Sequence, residues 1–144
     1  MMNRRCLVEW VAGYERAWRT PDGPELDKAL AALFAAGASY RPAPFEQPYL
    51  GLSAIARMWR AERKGPDEAF TLTFKVIAAD AEERTGVLQL EVHYGEPPGQ
   101  VYRDLWIVRF NAEDRCEHFE EWPFWPADRE GTYARGPEVG QGPP

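Results

Sequence analysis

The spacing of apolar residues changes once along the chain, near Phe70, and no other feature of the sequence limits the fold so strongly. Upstream, Leu7, Trp10, Val11, Tyr14 and Trp18 recur at intervals of three and four, the mark of a helix with one buried stripe. A TPDGP break follows, and Pro24 suits the first turn of a second helix whose stripe is Leu26, Ala29, Leu30, Leu33 and Phe34, with Gly37 as its stop. ASYRP is then one short strand. The stiff crossing RPAPFEQPYLG leads to a third helix that carries Leu52, Ile55, Met58 and Trp59 and ends at the KGP of residues 64–66. Downstream, Phe70, Leu72, Phe74 and Val76 alternate with polar residues, as do Leu88, Leu90, Val92 and Tyr94. DAEERTG joins these two strands, GEPPG leads to VYRDLWIVRF, and NAED is a four-residue hairpin loop before RCEHFEEW. Helices first and a strand meander afterwards define an α+β fold: three N-terminal helices packed on one face of a strongly curved, mainly antiparallel β-sheet.

The 144 residues suit one domain, assigned to residues 1–126. Residues 127–144 hold seven Gly or Pro and almost no aliphatic side chains, so they are expected to form a flexible tail or, through Tyr133, a clasp on a partner subunit. A net charge of −6 without a basic run argues against a nucleic-acid partner. No apolar run reaches the roughly 18 residues a membrane span needs, so no membrane partner is expected. The two cysteines, Cys6 and Cys116, lack metal-ligand spacing and fit a reducing compartment, which places the protein in the cytoplasm. With no phosphate-cradling glycine loop either, no metal and no cofactor is expected.

The helix stripe through Tyr14, the LFAAGASY entering the first strand, the GLSAIARMW helix and the paired ending VRFNAEDRC and EEW together resemble the NTF2-like superfamily. That superfamily is a cone-shaped α+β fold which includes ketosteroid isomerases, SnoaL-like polyketide cyclases and limonene epoxide hydrolases. The resemblance implies an apolar pocket between helices and sheet, with the proline-rich crossing at its mouth. It also sets Pro42 where the isomerases have their general-base Asp, and Trp106 where they have a protonated Asp, so that steroid isomerisation is not expected. Tyr14 occupies the place of their oxyanion-stabilising Tyr. Epoxide hydrolysis in this superfamily bridges two acids with an Arg on the same face, whereas alternation sends Arg103 to the face opposite Asp104.

Alternation along the third long strand puts Tyr102, Asp104, Trp106, Val108 and Phe110 on one face, assigned to the concave side. If NAED pairs Phe110 with Arg115, Trp106 lies opposite Phe119 and Asp104 opposite Glu121; a slip of one residue would present Glu120 instead. Two acids on an aromatic wall cannot easily both ionise, which leaves an acid and a base side by side. The alternative is neutralisation by Arg41, Arg57 or Arg60. The catalytic candidates are therefore Asp104, Glu121 and Tyr14; the candidates for ligand contact are Trp18, Tyr40, Phe45, Trp59, Tyr102, Trp106 and Phe119. Two functions fit: acid/base chemistry (enolisation, cyclisation or hydration) on a small hydrophobic, planar molecule, or a non-catalytic ligand-binding or dimerisation module. On the convex face Leu105 and Ile107 lie beside His118 and Trp122, a strip suited to a homodimer.

Overall fold

Helix α1 spans Arg4–Trp18, and its start is set by Asn3, whose side chain accepts the backbone N–H of Cys6 at 2.9 Å. Its stripe of Leu7, Trp10, Val11, Tyr14 and Trp18 is buried, as the spacing requires. Helix α2, Pro24–Leu33, begins with proline at its first turn and carries Glu25 and Asp27 there, where the helix dipole favours acids. Helix α3, Leu52–Glu62, buries Ile55, Ala56, Met58 and Trp59. The strands are β1 (Phe34–Arg41), β2 (Tyr49–Leu50), β3 (Phe70–Asp80), β4 (Thr85–Tyr94), β5 (Gln100–Phe110) and β6 (Cys116–Phe124). The computed structural model describes residues 2–63, 69–95 and 100–126. The KGP helix stop, most of the GEPPG turn and the tail from residue 127 lie outside them.

The six strands form one curved sheet in the order β2-β1-β6-β5-β4-β3. All neighbours are antiparallel except β1 and β6, which run parallel. The fold is therefore the expected α+β arrangement with three helices on a mainly antiparallel sheet. Two boundaries differ from the sequence reading. Phe34 opens β1 instead of closing the stripe of α2, and Gly37 lies within that strand and stops no helix. Pairing decides both: Phe34 has extended backbone angles and lies beside Cys116 of β6, and tertiary pairing outweighs local helical spacing. The two-residue β2, at the end of the proline-rich crossing, was not foreseen.

Arg63 ties the helices together. Its guanidinium, buried to 2% side-chain exposure, donates to the carbonyls of Ala17, Trp18 and Thr20 at the end of α1 and to Asp22 at 2.6 Å. Ala17 O already accepts the Thr20 N–H at 3.0 Å, while the carbonyls of Trp18 and Thr20 lie at and past the end of the helix, so a cation there adds hydrogen bonds to all three and favours the helix dipole. At the sheet edge, Arg4 of α1 and Arg19, the residue that caps its C-terminus, donate to the carbonyls of Val76 and Phe70 on β3. The helix is thereby laid along an otherwise open strand. The close approach of α1 to β4 requires glycine at position 86, where a Cβ would stand 2.4 Å from a methyl of Leu7.

Candidate active site

Tyr102, Asp104, Trp106, Val108 and Phe110 are all buried on the concave face of β5, as alternation predicted. Glu121 of β6 joins them at 2% exposure, while Glu120 lies on the outer face, hydrogen-bonded to His118 and to the indole of Trp122. The pairing is not the expected one. Phe110 lies opposite Cys116, Trp106 opposite Glu121, Val108 opposite Phe119 and Asp104 opposite Pro123, after a register shift next to Arg109. The two acids are thus diagonal neighbours on one face and not directly opposed.

They still act as a unit. The Trp106 indole N–H donates to Asp104 Oδ2 at 2.9 Å, and Tyr40 donates its hydroxyl to Glu121 Oε2 at 3.0 Å. Asp104 Oδ1 is buried without a hydrogen bond of ordinary geometry, and the groups that face the carboxyl besides Trp106 are the backbone N–H of Trp122 and the Glu121 carboxyl, which can donate to it when protonated. Burial, and after it the charge of Glu121, holds the Asp104 carboxyl well above the usual range; burial also pushes Glu121 up. With 1% and 2% exposure, neither acid can rely on water to carry its charge. The pair is best treated as one site that keeps a shared proton to unusually high pH.

Tyr14 extends the site to α1. Its hydroxyl lies 2.8 Å from that of Tyr40, and because Tyr40 gives its own proton to Glu121, Tyr14 is the donor of that bond. Burial, then the charge of Glu121, pushes both tyrosine hydroxyls well above their ordinary range, so both stay protonated. A relay runs from Tyr14 through Tyr40 to Glu121. When Glu121 holds the proton, each bond can reverse, and the Tyr14 O–H is released toward the cleft.

That cleft is lined by Tyr14, Glu15 and Trp18 of α1, Phe70 and Leu72 of β3, Val92 and Tyr94 of β4, Tyr102 and Trp106 of β5, and Glu121. It offers only about 20 Å³, roughly the room for one water. The reason is the packing behind it: Tyr14 and Trp106 ring centres lie 4.6 Å apart, and Trp106 and Phe119 lie 4.9 Å apart. Of the residues proposed for ligand contact, Trp18, Tyr102 and Trp106 line the cleft. Tyr40, Trp59 and Phe119 are fully buried in the core behind it, and Phe45 is fully exposed on the proline-rich crossing, away from it. Sequence reasoning missed Glu15, Phe70, Leu72, Val92 and Tyr94, although the apolar alternation of β3 and β4 marks the last four as inward-facing.

The arginines that could have neutralised the acids lie elsewhere. Arg41 bonds to the carbonyl of Glu46, Arg60 pairs with Asp27 at 3.5 Å, and Arg57 is exposed. Among the described residues no group of acids, histidines and cysteines could hold a metal ion, and no helix is long and apolar enough to cross a membrane.

No family model and no curated protein matches the sequence. Solved structures do match the fold. A protein of the SnoaL-like family from Agrobacterium tumefaciens C58, described as an isomerase, superposes with a TM-score of 0.64 at 18% identity over 81% of this chain and 95% of its own. The epoxide hydrolase/cyclase-like enzyme SalBIII, of pyran ring formation in the polyether salinomycin, gives 0.64 at 12% identity over 85% and 94%. A protein of unknown function with a cystatin-like fold from Methylobium petroleophilum PM1 gives 0.63 at 17% identity over 96% and 97%. The chain has the NTF2-like, SnoaL-like fold.

Proposed function

We propose that this chain binds a small hydrophobic molecule in the cleft beneath α1 and performs acid/base chemistry on it with the Asp104–Glu121 pair. The observation that carries this reading is the pair itself: two buried carboxyls with no basic partner among the described residues, one of them on the cleft wall. A purely architectural role gives no reason to keep two acids among aromatic rings, since apolar residues of similar size pack there without the desolvation cost. Perturbed carboxyls that share a proton are suited to removing a proton from carbon and returning it nearby. Glu121 lines the cleft and would exchange the proton with the ligand. Asp104 holds the second position of the pair, and the Tyr40–Tyr14 relay would carry a hydrogen bond to developing negative charge. Such equipment serves enolisation, cyclisation or hydration. Because the cleft is small at rest, ligand entry requires side chains between α1 and β3 to move apart. Glu121→Gln should leave folding intact and lower turnover of an enolisable ketone by about 10² or more. Unchanged turnover would show that the pair plays no chemical part.

A second copy of the chain is the partner proposed for the outer face. Leu105 and Ile107 are half-buried there beside exposed Trp122 and Phe124, with ion pairs Arg103–Glu91 and Arg109–Glu117 around them. An apolar centre within a charged rim is the anatomy of a protein interface.

A further inference from the structure

Resting on the reading of the cleft as a ligand site, the charge around it narrows the ligand further. Six aromatic rings contribute to its wall: Tyr14, Trp18, Phe70, Tyr94, Tyr102 and Trp106. Two acids line it, and they differ in kind. Glu15, at the α1 side, is matched by Arg19, whose guanidinium donates to it at 2.7 Å and lies 3.9 Å over the Phe70 ring. Glu121 has no such match; its polar neighbours are Tyr40, Trp106 and Asp104, of which none carries a positive charge. A pair sharing one proton therefore leaves one negative charge buried behind aromatic rings, with no cation from the protein to answer it. Buried charge without a counter-ion is costly, and aromatic faces attract cations and not anions. A carboxylate or phosphate ligand would meet acids and ring faces and no positive group within the cleft. A neutral ligand would leave the charge unanswered.

We propose that the cleft is an aromatic cage for an organic ammonium ion, a protonated or quaternary amine on a small apolar body, with the Asp104–Glu121 pair as its counter-ion. The ammonium group answers the single charge the pair carries, while the shared proton stays between the two carboxyls, so that ligand and pair together are neutral. The rings supply the attraction that remains for a quaternary nitrogen, which cannot donate a hydrogen bond.

Choline and its uncharged isostere 3,3-dimethylbutan-1-ol share shape and differ in charge, so they isolate the claim. Titrations of the full chain at pH 8 and low salt, followed by tryptophan fluorescence and calorimetry, should give choline at least about tenfold tighter binding than the alcohol. Calorimetry in two buffers of different ionisation heat should give the same enthalpy for choline, because the pair keeps its shared proton. Glu121→Gln, with its fold checked by circular dichroism, should bring the two probes within about threefold of each other. Equal or tighter binding of the alcohol to the unaltered chain overturns the ammonium proposal while leaving the cleft as a ligand site. Tight choline binding that Glu121→Gln does not weaken also overturns it, because the cation would then sit elsewhere. If neither probe binds, both the ammonium proposal and the reading of the cleft as a ligand site fall.

Discussion

Replacing Asp104 by Asn tests the shared proton through stability alone, with no ligand required. Burial and the charge of Glu121 hold Asp104 well above the ordinary carboxylate range, so the folded chain keeps a proton there that the unfolded chain has already released. The sign follows: the contribution of such a group is fully present below its unfolded pKa of about 4 and is lost as pH rises through the folded value. Each excess proton in the folded state costs about 1.4 kcal/mol of stability per pH unit across that window. Asn keeps an oxygen to accept the Trp106 indole N–H, now 2.9 Å from Asp104, and removes both one titrating group and the repulsion on Glu121. The variant should therefore gain on the parent chain by about 1.4 kcal/mol per pH unit from pH 4 upward, until the pair has released its protons. Groups common to both chains, such as Glu62 (raised by burial) and Glu91 (lowered by His93 and Arg103), cancel in the difference. Urea unfolding followed by tryptophan fluorescence between pH 4.5 and 8.5, as a physical range of about four units, measures it. Parallel stability curves for the two chains would refute the reasoning, since Asp104 would then be ionised in both folded and unfolded states at every pH tested.

Other consequences concern the frame around the site. Gly86→Ala should cost about 1–3 kcal/mol by forcing a Cβ to within 2.4 Å of Leu7, and Leu7→Val should recover part of that loss in thermal unfolding of the double variant. Arg63→Met removes the cation from the end of α1 and should cost about 2–4 kcal/mol by urea unfolding, with the effect largest in amide exchange of Ala17 to Thr20. Tyr40→Phe cuts the relay between Tyr14 and Glu121; the hydroxyl of Tyr14 should then lose its bonded signature in infrared difference spectra, and unchanged spectra would show the relay is not formed. For the outer face, light scattering at tens of micromolar should give a dimer mass that Trp122→Glu reduces to a monomer.

The elements and their order were legible because the core is built on two clean periods. The α1 stripe and the inward residues of β4 and β5 are buried as their spacing dictates, and on β3 Phe70 and Val76 are buried with Leu72 and Phe74 half-buried between them. The one helix boundary read too late, at Phe34, lies where helical and extended spacing coincide, LFAAG offering two large apolar residues and three small ones to either. What settled it was β6, about 80 residues away, with which Phe34 pairs. Local pattern carries no information about such a partner. The aromatic count was legible as well, but its meaning was not: the rings that suggested an open pocket pack so closely on one another that about 20 Å³ is left between them.

The fate of Glu121 shows why one residue of the site was predicted correctly through a pairing that was not. The hairpin after β5 closes one residue later than NAED suggests: Asn111 accepts the N–H groups of Glu113 and Arg115 on its side chain, and Phe110 pairs with Cys116. By itself that slip would have turned Glu120 toward the core and Glu121 to solvent, because strand side chains alternate. A second slip follows at once, where Glu117 is passed over and Arg109 pairs with His118. Two single-residue shifts restore the parity that one destroys, and Phe119 and Glu121 return to the inner face, each moved one pair along. The bulge at Glu117 is therefore what places an acid, and not an outward-facing one, beside Asp104. Deleting Glu117 removes the bulge together with its extra residue: His118 then follows Cys116 directly and still meets Arg109, so Phe119 and Glu121 should stay on the inner face. The quantity to measure is the proton content of the folded state. A deletion variant that folds but has released its carboxyl proton at neutral pH would refute this account of how the strand keeps its parity.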